Sequence, residues 1–223
     1  MTDDRPLRRK QEKTSKPMDT ILNGLFPTPL YSTKRDLVLD SKEEIEIEDI
    51  IKEGMYKNDG NSTSNNSDIF NSKLKNIKQF CEQHLKTYVK EVINPKEELD
   101  FYITQSWLNI TKPGEYHHDH SHMNSIVSGV FYISTEEDDK ITFGDPNYKI
   151  KEQIKFELKE YNIWNSATWF IPVNNNELLL FPSWLNHMVD ENEKAITDRI
   201  SISFNTFVRG SIGSEINLTK LNL

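Results

Sequence analysis

The chain has 223 residues and a formal net charge of −8, with 35% hydrophobic and 10% aromatic residues. This size and composition predict one globular domain with a sizeable core. The acidic balance disfavours nucleic acid and anionic membrane as partners, because both require basic surface. The single cysteine, Cys81, excludes an intrachain disulfide and a cysteine-based zinc site.

The first 19 residues are polar and mixed in charge, without the apolar stretch of a signal peptide. Residues 1–19 are therefore predicted to form a disordered or loosely ordered tail. No apolar run in the sequence is long enough to cross a membrane. The cytoplasm is the expected location, and it would be the host cytoplasm if a virus encoded the chain.

The segment 20–96 carries helical patterns and is predicted to support a β-rich core. Its first part, "LFPTPLY", holds two prolines between apolar residues, as an extended edge segment would. Ser41 and Glu44 have the spacing of a capping box at the start of a helix, and Gly54 is a stop signal. A second helix is predicted from Ser72, where apolar residues recur at helical spacing until Pro95.

Between these helices lies the polar stretch 58–68, "NDGNSTSNNSD". Its composition is typical of a flexible linker. The pattern does not decide whether the stretch is a lid over a site or a surface loop.

The segment 100–210 contains many short β-rich runs without helices between them. This predicts a sandwich, jelly roll or barrel. The helical and β-rich parts together are predicted to form one domain, residues 20–223. The runs are "FYITQSWLNIT", "SIVSGVFYIS", "KITFGD", "ATWFIPV", "ELLLFPS" and "RISISFNTFV", with turn signals between them.

Four histidines and two acids crowd into residues 115–122, "EYHHDHSH". Alternate residues of a strand share a face, so His117 with Asp119, His118 with His120, or His120 with His122 could hold one metal. Imidazole suits iron, zinc, copper or nickel. His187, just after the apolar run "LLLFPSW", supplies a third ligand. The alternative interpretation is a histidine-rich surface loop without a specific metal.

The run "RISISFNTF" alternates apolar and polar residues, and its polar face begins with Arg199. A polar face inside a β-core is explained if it lines a wet cavity that receives an anion, since arginine matches a carboxylate. The run is predicted to form a hairpin with the strand that carries His187. A structural salt bridge of Arg199 is the alternative.

In this order the motifs resemble those of the Fe(II)- and 2-oxoglutarate-dependent oxygenases. They are most similar to a branch found in bacteria and their viruses, over residues 25–210. That branch has a "WxN" strand, "HxH" followed by "SGVYY", an "FP" strand ending near a histidine, and "RxSxSFN". The matching positions here are Trp107–Asn109, His120–His122, Ser128–Tyr132, Phe181–His187 and Arg199–Asn205.

The resemblance implies a mainly β double-stranded β-helix (a cupin-like jelly roll) with flanking helices. It implies an oxygenase, expected to be a hydroxylase, that couples O2 activation and 2-oxoglutarate decarboxylation to oxidation of an unknown substrate. Fe(II) would be bound by His120, His122 and His187. The implied 2-oxoglutarate-binding residues are Arg199, Ser201, Asn109 and Tyr132.

The first ligand pair stays open between two registers. Alignment on "SGVFY" selects His120 and His122, whereas alignment on the acid selects His117 and Asp119. A carboxylate would offset part of the charge of the dication, which three neutral imidazoles do not. The branch pattern favours His120 and His122.

Two other functions fit parts of the pattern. A cupin-like metal enzyme that does not use 2-oxoglutarate would share the histidines but would not need Arg199 to bind a carboxylate. A non-catalytic jelly-roll binding module would need neither. The substrate, a small molecule or a protein side chain, is not identifiable from the sequence, and the oligomeric state stays open, with a homodimer one option by family analogy.

Overall fold

A computed structural model describes residues 22–223, so the predicted tail at 1–19 lies outside the described residues. The mainly β architecture with flanking helices is confirmed. None of the helices within 22–223 is long and apolar enough to span a bilayer. The helices are α1 (Ser41–Glu53), α2 (Ile69–Ser72), α3 (Lys75–Tyr88), a π-helical turn (Val89–Ile93) and α4 (Tyr148–Lys151).

The strands form two antiparallel sheets and a small terminal pair. The seven-stranded sheet has the order β1-β9-β6-β11-β4-β3-β2, the four-stranded sheet the order β5-β10-β7-β8, and β12 pairs with β13. The strands are β1 (Tyr31–Lys34), β2 (Met55–Lys57), β3 (Ser62–Ser64), β4 (Asp100–Thr111), β5 (His117–His120), β6 (Val127–Ser134), β7 (Lys140–Gly144), β8 (Thr168–Pro172), β9 (Glu177–Pro182), β10 (His187–Val189), β11 (Arg199–Arg209), β12 (Ser211–Ile212) and β13 (Leu221–Asn222).

Both faces of the large sheet are covered, which explains its nearly continuous apolar strands. In β9, Leu178 and Leu180 pack in the cluster that includes the helices α1 to α3. Their neighbours Leu179 and Phe181 pack in the cluster between the two sheets. Alternate residues of one strand therefore hold together the helical layer and the sandwich.

The composition of segment 58–68 predicts a flexible linker, and the structure shows that this prediction is wrong. The segment contains β3, whose Thr63 pairs with Asn109 of β4 in the large sheet. Thr63 and Ser64 are buried. Polar residues can be buried here because backbone pairing and side-chain hydrogen bonds satisfy them, and composition does not report such pairing. The segment 20–96 thus contributes β1, β2 and β3 to the large sheet as well as helices.

Two further sequence predictions need correction. The capping box lies one residue earlier, since Asp40 accepts a hydrogen bond from the backbone of Glu43 and the Glu43 side chain accepts one from the Asp40 backbone. The predicted hairpin between the strands of His187 and Arg199 does not form, because β10 and β11 belong to different sheets. In a jelly roll the chain crosses between sheets, so these two side chains face each other across the sandwich.

Gly129 of β6 lies under the ring of the fully buried Phe204, its register partner in β11. A Cβ at this position would overlap that ring, which explains the glycine of the "SGVFY" motif.

We expect Gly129→Ala to lower the free energy of unfolding by about 1–3 kcal/mol, because overpacking forces the ring or the strand to shift. Gly144→Ala is the matched control, since its nearest contact would be an ordinary 3.7 Å. Urea unfolding midpoints of the two variants measure the difference. Equal midpoints would contradict this packing account.

Candidate metal centre and cosubstrate pocket

One cavity opens between the two sheets at the end where the sandwich interior becomes polar. The large sheet contributes the alternate residues of β4 and β11 that face away from the helices, and the small sheet contributes β5 and β10. All seven predicted site residues line it. The lining residues are Asn61, Trp107, Asn109, Thr111, His117, His120, His122, Val130, Tyr132, Ile141, His187, Val189, Arg199, Ser201 and Ser203.

Three of the histidines converge at the mouth of this cavity. His120 of β5 is the register partner of His187 of β10. The Nε2 atoms of His122 and His187 are 3.3 Å apart. One ring nitrogen from each of the three lies within 4.8 Å of the others, a spacing that fits ligands of one metal ion.

A β-bulge in β5 determines which histidines enter the cavity. The pairing shifts between His187, opposite His120, and Val189, opposite His117. Two residues of β5 therefore oppose Met188 alone, which breaks the strict alternation that the sequence analysis assumed. As a result His117 and His120 line the cavity together and stack at 4.5 Å between ring centroids, whereas the expected partner His118 does not line it.

The bulge also turns Asp119 away from the cavity. Its side chain is exposed and accepts a hydrogen bond of 3.1 Å from Nδ2 of Asn186. A second histidine group, His117, His118 and His120, has the spacing of metal ligands, but it shares His120 with the first. Within residues 22–223 no metal-ligand group of this spacing includes Asp119.

Burial favours the neutral form of these histidines, and backbone carbonyls define the tautomer of His120 and His187. Burial, reinforced by the neighbouring imidazoles, lowers the pKa of His122 to about 4 and those of His117 and His187 to about 3. The Nδ1 atom of His120 donates to the carbonyl oxygen of His118 at 2.8 Å, and that of His187 donates to Leu185 at 3.0 Å. Such bonds leave Nε2 as a lone-pair donor, as a metal ligand requires.

Arg199 begins β11 on the cavity face and is only 7% exposed. Its guanidinium donates to the carbonyl oxygen of Lys140 at 2.8 Å and lies over the ring of Tyr132, 5.1 Å from its centroid. No carboxylate of residues 22–223 lies within ion-pair distance of it. This is unusual, since buried charges are nearly always paired.

The other buried arginine shows the usual arrangement. Arg35 is also 7% exposed, but both of its terminal nitrogens donate to the carboxylate of Glu43, at 2.9 and 2.8 Å. Arg199, unlike Arg35, is therefore a buried cation without a carboxylate partner among the described residues.

The remaining predicted site residues, Ser201, Tyr132 and Asn109, lie near Arg199 and differ in how many hydrogen bonds their side chains already make. Ser201 pairs with both Asn109 and Tyr132 across neighbouring strands. The Tyr132 hydroxyl is buried without a partner among the described residues, and burial raises its pKa to about 12. The Asn109 amide already accepts from Thr63 and donates to Ser203, each at 3.0 Å.

Several lining residues had not been singled out from the sequence. Thr111 follows from the alternation of β4, once the cavity face is known. Asn61 was hidden in the predicted linker. The pair Asp59-Gly60 is a hairpin signal that could have placed Asn61 at the end of a tight turn.

Comparison with known proteins agrees with this geometry. Residues 105–205 match the family model described as "Putative 2OG-Fe(II) oxygenase". This segment is a 2OG-Fe(II) oxygenase domain. The resemblance drawn from the sequence motifs is confirmed, and the oxygenase domain uses Fe(II), 2-oxoglutarate and O2. No curated protein matches the sequence.

Solved structures share the fold of the oxygenase domain at low sequence identity. A prolyl-4-hydroxylase from Pseudomonas putida aligns at 13% identity with a TM-score of 0.52, over 82% of this chain and 94% of that one. A prolyl hydroxylase from Trichoplax adhaerens, in complex with a hypoxia inducible factor peptide, aligns at 13% and 0.54, over 80% and 83%. HygX from Streptomyces hygroscopicus, with nickel, 2-oxoglutarate and hygromycin B bound, aligns at 13% and 0.50, over 80% and 82%. These likenesses confirm the double-stranded β-helix.

The residues of the cavity fit both cofactors of such a domain. Three convergent imidazoles, two of them with Nε2 free of a proton, form a nitrogen donor set that suits iron. A buried arginine and a buried tyrosine hydroxyl, neither with a carboxylate or hydrogen-bond acceptor from a side chain of residues 22–223, suit one carboxylate of 2-oxoglutarate.

The two buried arginines should respond in opposite ways to methionine in the metal-free protein. Arg35→Met leaves Glu43 buried without its partner, and we expect a loss of about 3–5 kcal/mol in the free energy of unfolding. Arg199→Met removes an unpaired buried charge, so we expect it to be neutral or stabilising. Urea unfolding at pH 7 measures both, and equal destabilisation would contradict the contrast drawn here.

Proposed function

We propose that His120, His122 and His187 bind the iron of this oxygenase, and that Arg199 binds the distal carboxylate of 2-oxoglutarate. The observation that carries the proposal is the buried Arg199 without a carboxylate partner, in the same cavity as the three convergent histidines. When bound, the two cofactors couple oxidative decarboxylation of 2-oxoglutarate to oxidation of a second substrate by O2.

The protein's own residues orient these groups. Ser201 and the free hydroxyl of Tyr132 would complete the hydrogen bonds of the distal carboxylate, since both line the cavity beside Arg199. Asn109 would act mainly by positioning, because its amide already bonds Thr63 and Ser203. Carbonyl oxygens behind His120 and His187 hold each imidazole with Nε2 towards the metal.

Three other features belong to the same proposal. Residues 20–223 would act as one oxygenase domain, with the double-stranded β-helix core at 100–210. The protein would work in the cytoplasm on a small molecule or a protein side chain. The acidic net charge argues against nucleic acid as that substrate.

The test of the metal set is succinate formation from 2-oxoglutarate by protein reconstituted with Fe(II), ascorbate and O2, without added substrate. We expect slow, iron-dependent formation in the wild type. His120→Ala, His122→Ala and His187→Ala should each lose it, because each removes a ligand.

Asp119→Ala is the matched control, because Asp119 neighbours His120 but points away from the cavity. It should retain the wild-type rate, with circular dichroism checking that every variant is folded. Loss in Asp119→Ala together with retention in His122→Ala would select the His117 and Asp119 register instead. No iron-dependent succinate in the wild type would refute the oxygenase function.

A further inference from the structure

Asn61 places a bare carboxamide inside the cavity. The residue is 2% exposed and lines the same cavity as His120 and Arg199. Neither Oδ1 nor Nδ2 has a hydrogen-bond partner among residues 22–223. An amide buried in this way loses its bonds to bulk water and gains none from the described residues, which is costly unless an ordered water or a ligand supplies them.

The turn that carries Asn61 is fixed in place against the histidine segment. The backbone of Tyr116 donates to the carbonyl oxygen of Gly60 at 3.2 Å, and its hydroxyl donates to Asp59 at 3.0 Å. Gly60 has a φ of +91°, and a Cβ there would overlap Tyr116. The side chain of Asn58 contacts His117 at 3.4 Å. The carboxamide of Asn61 is therefore held in the cavity by its backbone, without help from its own polar atoms.

The register of the sheet places Asn61 near Arg199, the residue proposed to bind the cosubstrate carboxylate. Ser62 pairs with Ile110, so Asn61 lies beside Thr111 at the end of β3. Thr111 in turn pairs with Arg199. A ligand group at Asn61 would thus be next to the proposed carboxylate site, in the same cavity that the histidines line.

Oδ1 accepts and Nδ2 donates hydrogen bonds, so the two atoms of the Asn61 amide determine which ligand groups could pair with both. A carboxylate offers only acceptors, so it could bond Nδ2 but would leave Oδ1 unpaired. A trans peptide bond carries its N–H and C=O on opposite sides and cannot meet both atoms with one edge. A cis amide edge, as in primary carboxamides and lactams, presents one donor beside one acceptor and pairs with both.

We propose that Asn61 determines specificity by binding a cis amide edge of the substrate. We call this place the Asn61 subsite. The proposal rests on the proposed function, because it places the bound amide next to the iron and 2-oxoglutarate sites.

The test uses protein loaded with Fe(II) and 2-oxoglutarate without oxygen, and measures the melting temperature with small probes. A ligand of the native state raises that temperature. We expect a rise with acetamide if the subsite takes carboxamides, and with 2-pyrrolidinone if it takes lactams. Acetate and N-methylacetamide, the carboxylate and trans-amide controls, should give no rise.

Asn61→Leu should abolish the rise, since it keeps the volume but removes both polar atoms. Asn65→Leu changes an exposed asparagine of the same segment and should retain it. Asn61→Asp should transfer the response to acetamidinium, which offers two donors to the carboxylate. A merely structural role for Asn61 would not produce this exchange of ligands.

No rise with either amide would overturn the proposal, as would equal rises with the controls or an unchanged rise in Asn61→Leu. Succinate formation by the same wild-type preparation reports the oxygenase function separately. Succinate formation without an amide response would refute the Asn61 subsite alone.

Discussion

The cavity between the two sheets is organised around a buried cation, Arg199, that residues 22–223 do not neutralise. Arg199 is as buried as Arg35, but within residues 22–223 a carboxylate partner is found for Arg35 and not for Arg199. Burying a charge without a partner destabilises a folded protein, so such a group is retained where a ligand provides the partner. Ser201 and Ser203, on the same face of β11, make that side of the strand polar within an otherwise apolar sandwich.

The jelly-roll topology places this buried arginine in the same cavity as the histidines. The chain crosses from β10 to β11 between sheets, which sets His187 and Arg199 on opposite walls of one cavity. The bulge in β5 places His117 beside His120 in the cavity, while Asp119 points away from it. If His120, His122 and His187 hold the metal as proposed, three neutral imidazoles would leave its charge uncompensated by the protein. An anionic cosubstrate would then supply the compensation that a ligand carboxylate otherwise gives.

The strand pattern and most of the site follow from the sequence, because alternation reports directly which residues share a face. The polar face of β11 was predicted correctly in this way. The set His120, His122 and His187 came from the resemblance of the motifs; the structure brings the three rings together, and their role as ligands stays a prediction. The bulge was not predicted, since it depends on which strand pairs with β5 and in which register. The segment 58–68 was misassigned because its buried polar residues are satisfied by β4, a partner about 45 residues away. The hairpin error has the same origin, since sequence proximity does not show that a chain crosses between sheets.

The central claim is that Arg199 and the three histidines bind the two ends of one 2-oxoglutarate–iron complex. The most direct measurement is an anaerobic titration of Fe(II)-loaded protein with 2-oxoglutarate, following the visible charge-transfer band of the chelate. The account predicts that the band forms. It also predicts that Arg199→Met raises the half-saturating concentration of 2-oxoglutarate about tenfold to a hundredfold, because the variant loses a hydrogen bond to a charged group and its contribution to the binding free energy. Iron binding without the band, or an unchanged concentration in Arg199→Met, would contradict it.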